Sequence, residues 1–393
     1  MQFNFKVVKK DRKSKARMGE INTPHGSIKT PAFSPVATRA SVKTLSPDDL
    51  ILTGSQVVLG NTYHLYLRPG TQTIKQFGGF ASFMGWTGPS ITDSGGYQVS
   101  FLWTPKGTNE DSARVVRITD SGATFKSHID GSLHQLTPEK SMQIQYDLGA
   151  DIIMAFDQPL AHDAPGKLKK EAFTRTLRWE ERSFVAWEKQ EKTRKKGSYQ
   201  ALFGIIQGED DKKLRQQSLK FLLSMDLPGL AVGGKSVGAD PKLTAKALDT
   251  IAELLPDNKP LHALGLGGGP EGIFTAVDRG TDIFDNTGIT RMARTGLLFM
   301  YPEDGGTAAN KFRFDIKKTK YKDVNKPVSR MCDCYTCQNF SLAYVHHLLV
   351  SNEVLGLRLA TIHNISVINT LMTAIRTSIQ EGNYSELKKH WLG

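Results

Sequence analysis

The sequence predicts an α/β protein of the (β/α)8 barrel class, the TIM barrel, with a small cysteine-bearing subdomain inserted near the C-terminus. Three observations predict it. Short apolar runs recur along the 393 residues and lack the period-two alternation of a half-exposed strand. Longer amphipathic stretches separate them, the rhythm of repeated βα units. The residues that follow the apolar runs are polar or glycine, as at the mouth of such barrels.

Pro31–Val36 (PAFSPV) supplies a strand near the start. Gln56–Gly60, Ser90–Thr92, Asp151–Phe156, Ala201–Ile206, Gly229–Val232, Leu261–Leu266 and Thr281–Phe284 supply the rest. Helices are expected over Pro138–Leu148, Leu168–Glu191, Lys212–Ser224, Pro241–Leu255 and Pro270–Arg279. A doubly wound open sheet is the rival, but no glycine-rich fingerprint follows its first strand. The GLGGGP stretch at Gly265–Pro270 lies late, lacks an acidic partner at the required distance, and reads as a tight turn into a helix. The expected division is 1–310 as barrel with an N-terminal β elaboration, 311–365 as the inserted subdomain, and 366–393 as a C-terminal helix packed back on the barrel.

All three cysteines, Cys332, Cys334 and Cys337, fall within six residues. An odd number so closely spaced cannot pair off as disulfides. Three thiolates and one imidazole make the closed tetrahedral shell of structural Zn²⁺. Spacing alone leaves the imidazole open among His346, His347 and His363. Lys and Arg outnumber Asp and Glu by 51 to 39, a net charge of +12. That excess favours a polyanionic partner, nucleic acid first. No run of about 18 apolar residues exists, and the start, MQFNFKVVKKDRKSKARMGE, lacks the apolar centre of a signal peptide. No membrane span and a cytoplasmic location are therefore expected.

The ends of the strands carry the chemistry. Asp93-Ser94-Gly95-Gly96-Tyr97-Gln98 follows the third strand and Asp157-Gln158 the fourth. Gln207-Gly208, Gly233-Gly234, Gly265 and Asp285-Asn286 follow the next four. One Asp after a strand is most often a helix cap. Three of them, with a Gln and a Gly-Gly pair, suit a flat ligand whose edge is read by donors and acceptors. Two of these three carboxylates can divide nucleophile and acid/base roles at a glycosidic carbon.

The ordered set Asn61–Gly70 (NTYHLYLRPG), Thr92–Gln98 (TDSGGYQ), Pro138–Ser141 (PEKS), Met154–Asp157 (MAFD), Phe203–Gly208 (FGIIQG), Ala231–Gly238 (AVGGKSVG), Phe284-Asp285 with Thr290-Arg291, Cys332–Cys337 (CDCYTC) and Ala343–His347 (AYVHH) resembles the tRNA-guanine transglycosylases of the bacterial branch. The resemblance runs from about Gly26 to His363. It implies exchange of the guanine at the wobble position of a tRNA anticodon, position 34, for a 7-deazaguanine base. It implies Asp285 as the nucleophile on the ribose and Asp93 as the general acid/base. Asp157, Gln207 and the backbone of Gly234 would read the purine edge, with Tyr97 and Leu264 sandwiching the ring. Arg291 and Arg294 would grip the anticodon backbone, a use that suits their forked donors. Cys332, Cys334, Cys337 and His363 would hold one structural Zn²⁺ per chain, and the resemblance thus selects the farthest histidine. It also implies a homodimer with Phe340 and Tyr344 near the contact.

Several positions depart from the bacterial pattern. Asn286-Thr287-Gly288-Ile289 replaces a loop that usually carries a cysteine and a proline. Lys235 stands for a usual leucine, Ala239 for a glutamate that senses an aminomethyl tail, and Pro159 for a cysteine. A lysine in contact with an ammonium tail repels it by up to about 4 kcal/mol. The incoming base is therefore expected to be 7-aminomethyl-7-deazaguanine or queuine, with the enzyme tolerating, or preferring, a base other than the aminomethyl one, such as queuine. The stretch Phe101–Val115 reads as a loop insertion beside the mouth, and Lys317–Lys326 as a basic run against RNA. Two alternatives use the same residues. A non-catalytic, tRNA-binding partner subunit of the same fold need not keep both Asp93 and Asp285. A barrel glycoside hydrolase leaves the purine-reading set, the charge and the zinc segment unexplained.

Overall fold

The computed structural model describes residues 3–101, 114–159, 164–194, 198–209, 211–234, 237–238, 240–267 and 269–393. Most of the loop expected over Phe101–Val115 lies outside the described residues, as do Lys235 and Ala239; Pro159 is described and buried.

Parallel strands form one continuous sheet in the order Ala32–Ser34, Ile283–Asp285, Leu261–Ala263, Gly229–Val232, Ala201–Ile206, Ile152–Met154, Ser90–Thr92, Val58–Gly60, Val36–Ala37. The two outer strands are halves of one chain segment separated by Pro35. Proline has no N–H to give the ladder, so the strand breaks there, while the Pro35 carbonyl still accepts from Leu59 N at 3.0 Å. One half pairs with the last strand (Phe33 beside Phe284) and the other with the second (Val36 beside Leu59). The sheet thereby closes into an eight-stave barrel. The expected first strand is this broken segment, and every other expected strand is present at its predicted place.

The strands are buried at nearly every position, Ala201–Ile206 at all six. That accounts for continuous apolar runs in place of alternation. Inward-facing Leu59, Ile91, Met154, Phe203, Ile205, Ala231 and Ile283 form the barrel interior. An antiparallel sheet of Asn4–Lys10, Arg17–Thr23 and Gly26–Thr30 packs Ile21 and Ile28 into the same cluster. Phe3, just ahead of it, meets Phe203 edge-on at 5.9 Å.

The helices Pro138–Leu148 and Lys212–Ser224 match expectation at both ends. The helix expected over Pro241–Leu255 stops at Asp249. Beyond it the bonds tighten to i→i+3, as from Ile251 N to Leu248 O and from Leu254 N to Ile251 O. A second antiparallel sheet, Arg114–Thr119, Gly122–Lys126 and Leu133–Leu136, was not expected. Its strands are too short and mixed in composition to show a clear period.

The long helix Val354–Glu381 packs between the helix Thr287–Thr295 and the strand Ala32–Ser34. Asn369 donates to Thr53 O at 2.8 Å and Arg376 to Pro31 O at 2.7 Å, tying it to the barrel wall. The expected boundary between 365 and 366 falls inside this helix. By length and composition it is apolar enough to cross a membrane, but 72% of its apolar window is buried within the protein. Its apolarity is that of a core helix.

Candidate active site

The barrel places its polar residues by the simplest rule of a strand, that i and i+2 share a face. Ile91, Ile205 and Ile283 point into the interior. Two residues on from each stand Asp93, Gln207 and Asp285, at the carboxyl ends of their strands. The inward rows therefore end in functional groups at one mouth.

Asp93 is half-buried and held from the neighbouring strand end. Asn61 Nδ2 donates to its Oδ2, and Thr62 N to its Oδ1 at 2.7 Å. The Thr62 hydroxyl donates to the Asp93 carbonyl. Asn61 also caps the helix Thr62–Leu67, its Oδ1 accepting from His64 N. Burial pushes the Asp93 carboxyl up to about 7; the hydrogen bonds from Thr62 oppose that, and the negative charges of Asp285 and Asp157 add to it.

Asp157 is buried, accepting from Ser94 Oγ at 2.8 Å and Gln207 Nε2 at 2.6 Å. Burial lifts it to about 6 against those hydrogen bonds. The chain packs so closely here that position 96 requires glycine. A Cβ at Gly96 would lie 2.2 Å from the Asp157 carbonyl oxygen and 2.7 Å from Oδ1. Gly234, at φ +100°, is the second such position, where a Cβ would meet Glu209 Oε1 at 2.5 Å. The fully buried Arg215 reaches the carbonyls of Glu209, Ile206 and Gly233, joining the strand ends that carry Gln207 and Gly234.

Asp285 is set differently. Its Oδ1 accepts from His262 Nε2 at 3.0 Å and from Gly265 N at 3.1 Å. The side chain remains 13% exposed to the mouth. The helix Thr287–Thr295 begins just after it, capped by Asn286. Arg291 and Arg294 lie three apart on that helix, on neighbouring turns. Arg291 is exposed and Arg294 half-buried. Burial, then the Arg291 charge, lower the Arg294 guanidinium from its usual value. Tyr97 presents 53% of its surface. Leu264 packs on the interior cluster two residues beyond His262.

Further along the chain, Cys332, Cys334, Cys337 and His363 are buried with their ligand atoms within 4.8 Å of one another. His363 Nδ1 lies 3.8 Å from Cys334 Sγ and 3.3 Å from Cys337 Sγ. Bonds to Zn²⁺ of roughly 2.3 Å from sulfur and 2.0 Å from nitrogen imply a tetrahedral edge of about 3.6 Å, which these separations bracket. His363 Nε2 donates to the Phe299 carbonyl at 3.0 Å, turning the Nδ1 lone pair toward the thiols. The four side chains could hold a metal ion. His346 instead meets the Ile316 carbonyl at 2.6 Å, so the cluster takes the farther histidine.

The residues predicted at strand ends thus converge, and the cysteines converge separately with His363. Sequence reasoning missed Asn61, Thr62, Ser94, Arg215 and His262. Asn61 and Thr62 open the NTYHLYLRPG motif, which was signal enough; His262 sits in an apolar run with no mark of its own.

A family model described as Queuine tRNA-ribosyltransferase matches residues 11–393. A "Queuine tRNA-ribosyltransferase" of Desulforamulus reducens is 42% identical over 392 residues, covering 100% of this chain and 98% of the relative. A protein of the same name from Dictyoglomus turgidum is 42% identical over 388 residues, covering 99% and 94%. One from Staphylococcus aureus is 41% identical over 387 residues, covering 98% and 95%. With the barrel, the strand-end residues and full-length likeness all in register, the chain belongs to the queuine tRNA-ribosyltransferase family, the tRNA-guanine transglycosylases, and is a pentosyl-transferring enzyme.

Proposed function

We propose that this enzyme exchanges guanine 34 of a tRNA anticodon for a free 7-deazaguanine base through a covalent ribosyl–Asp285 intermediate. The observation that supports it most is the contrast between two carboxyls at one mouth. Asp93 is raised to about 7, suited to carrying a proton. Asp285 has one oxygen held by two donors and the other left for attack. In the first half, an Asp285 oxygen bonds to ribose C1′ as the C1′–N9 bond breaks. The bond's electron pair leaves with the purine, and Asp93 supplies its proton. In the second half, the ionised Asp93 takes the N9 proton of the incoming base. That nitrogen bonds C1′, and the ester to Asp285 breaks.

Asp157 would accept the amino and ring N–H groups of the purine, and Gln207 with the Gly234 N–H would meet its carbonyl oxygen. Tyr97 and Leu264 would cover the two faces. Arg291, Arg294 and the exposed lysines of Lys317–Lys326 would hold phosphates, which position RNA without reading it. Zn²⁺ held by Cys332, Cys334, Cys337 and His363 would supply structure, these four side chains making a complete tetrahedral donor set. We read the stretch from 311 into the helix Val354–Glu381, as far as His363, as the segment it organises, with barrel before it and the same helix continuing back onto the barrel. Phe340 stacks on Tyr344 at 5.5 Å, and Tyr344 is 39% exposed. This pair would face a second copy in a homodimer.

Base exchange on an anticodon stem-loop tests the reading, with labelled guanine 34 as the reporter. Label should be released by a deazaguanine and retained with adenine in its place. Lys235, Ala239 and Pro159 favour queuine over the aminomethyl base in direct competition. Equal or better use of the aminomethyl base would sink that preference, and no release with any deazaguanine would sink the exchange.

The pH dependence of the first half-reaction follows from the two raised carboxyls. Asp157 must be ionised to accept N–H groups, so the rate falls as pH drops through about 6. Asp93 must be protonated to give a proton, so the rate falls as pH rises through about 7. A narrow bell is expected in single-turnover guanine release, its limbs belonging to the coupled set of carboxyls. The second half-reaction should instead gain as pH rises through 7. Release that stays level from pH 6 to about 9 would count against Asp93 as the acid.

A further inference from the structure

We infer that His262 is the positioning residue for the nucleophile, fixing which oxygen of Asp285 attacks; this rests on the reading of Asp285 given above. The argument starts from register. His262 pairs with Ala231 on one side and Ile283 on the other. Both neighbours face the barrel interior, and in-register residues of parallel strands share a face. His262 therefore points inward, fully buried, in a layer otherwise lined by Ala and Ile. Asp285 stands two residues beyond Ile283 on the same inward row, one step nearer the mouth. The imidazole reaches up that step and places Nε2 3.0 Å from Oδ1.

A histidine in an apolar layer needs a reason, because its polar atoms must be paired or cost free energy. Here only one is paired. His262 Nδ1 is buried with no hydrogen-bond partner among the described residues. The ring's one hydrogen bond among the described residues is to the carboxylate, and an acceptor there requires the tautomer with hydrogen on Nε2. Together with the Gly265 N–H at 3.1 Å, this saturates one face of Oδ1 with two donors. Such a carboxylate cannot swing about its Cβ–Cγ bond without breaking both. Oδ2 is left as the attacking oxygen, aimed from a fixed plane. His262 does not touch the ribose and exchanges no proton in the reaction; it holds the nucleophile in a near-attack orientation.

The test compares His262→Gln, His262→Asn and His262→Leu in single-turnover formation of the denaturation-resistant tRNA adduct, with incoming base left out. Glutamine can put an amide N–H near the place of Nε2; asparagine is too short and leucine has no donor. We expect adduct formation about 10- to 100-fold slower in the Asn and Leu variants. Glutamine should stay within about 3-fold of the parent, with the concentration of tRNA for half-maximal rate unchanged throughout. A merely structural histidine predicts no advantage of Gln over Asn, both being polar and buried. Thermal unfolding of each variant identifies any that fail to fold, and the Gln–Asn comparison decides even if Leu does. Equal rates for Gln and Asn, or a folded Leu variant at the parent rate, would overturn the inference. Asp285→Asn is run beside them. If it still traps RNA, the nucleophile reading falls and takes this inference with it. If it is dead while Leu reacts normally, only the role of His262 falls.

Discussion

Asp285→Asn should abolish the covalent tRNA adduct and lower base exchange by about 10⁴-fold or more, while tRNA still binds. The change removes one charge and almost no volume. Its Oδ1 can still accept from Gly265 N, so the strand end Ile283–Asp285 keeps its main-chain contact. Stability should shift by no more than about 1 kcal/mol, the usual range for an isosteric change at a partly exposed site. RNA affinity should hold, because the proposed phosphate contacts are Arg291 and Arg294 on the following helix and the lysines of the inserted segment. An amide is too weak a nucleophile to form the ester, and no other carboxylate replaces it. Asp157 is buried and bonded to Ser94 and Gln207. Asp93 is held by Asn61 and Thr62, facing from another strand. Incubation with an anticodon stem-loop, denaturation and gel separation gives the answer. An adduct of undiminished yield would move the nucleophile elsewhere. Asp93→Asn is the informative partner: it removes the proposed proton source and leaves Asp285 intact, so adduct should form slowly, not fail outright.

The barrel was legible because its strands are buried on both faces, and such strands announce themselves as unbroken apolar runs. The mouth was legible for a related reason. A polar residue two positions past an inward isoleucine has one place to go, so Asp93, Gln207 and Asp285 could be grouped without knowing any distance. Closure was not legible in full. The PAFSPV segment reads as one strand, but Pro35 splits it into two that pair with opposite neighbours. Pairings across strands were hidden for the same reason. Asn61 with Asp93, and His262 with Asp285, depend on register between segments more than 20 residues apart, and no local pattern encodes that. The helix Val354–Glu381 shows a third limit. One side of it supplies His363 to the cysteines, and further along Asn369 and Arg376 bind the barrel. A linear division of the chain at 365/366 cannot represent an element that serves both.

That shared helix decides what metal removal should do. Chelation, or Cys334→Ser, should unfold the cysteine segment and leave the barrel standing. In zinc-finger peptides the metal contributes about 10–16 kcal/mol, more than the whole stability of many domains. The short helix Tyr335–Asn339 carries Cys337, and a five-residue helix cannot stand alone. Its other anchors are few. Thr336 Oγ1 donates to Leu359 O at 2.7 Å, and Arg358 lies over the Tyr335 ring. The helix Val354–Glu381 has independent ties through Asn364 to Leu297 and Phe299, and through Asn369 and Arg376 to the first staves. Hydrogen exchange should therefore quicken across Arg330–Val350 after chelation, while amides of the barrel strands stay protected. The Phe340–Tyr344 face should be lost with it, and if the proposed homodimer forms through that face, light scattering should show the chains separating. RNA affinity should fall by about 100-fold or more as the lysines of Lys317–Lys326 lose their fixed placement. Asp93 and Asp285 hang on neither the metal nor its ligands, so turnover should persist at saturating stem-loop concentration. Metal analysis by mass spectrometry confirms the removal. A metal-free protein that kept its protection pattern and its RNA affinity would show the four side chains to be packing residues, and the cysteines would need another explanation.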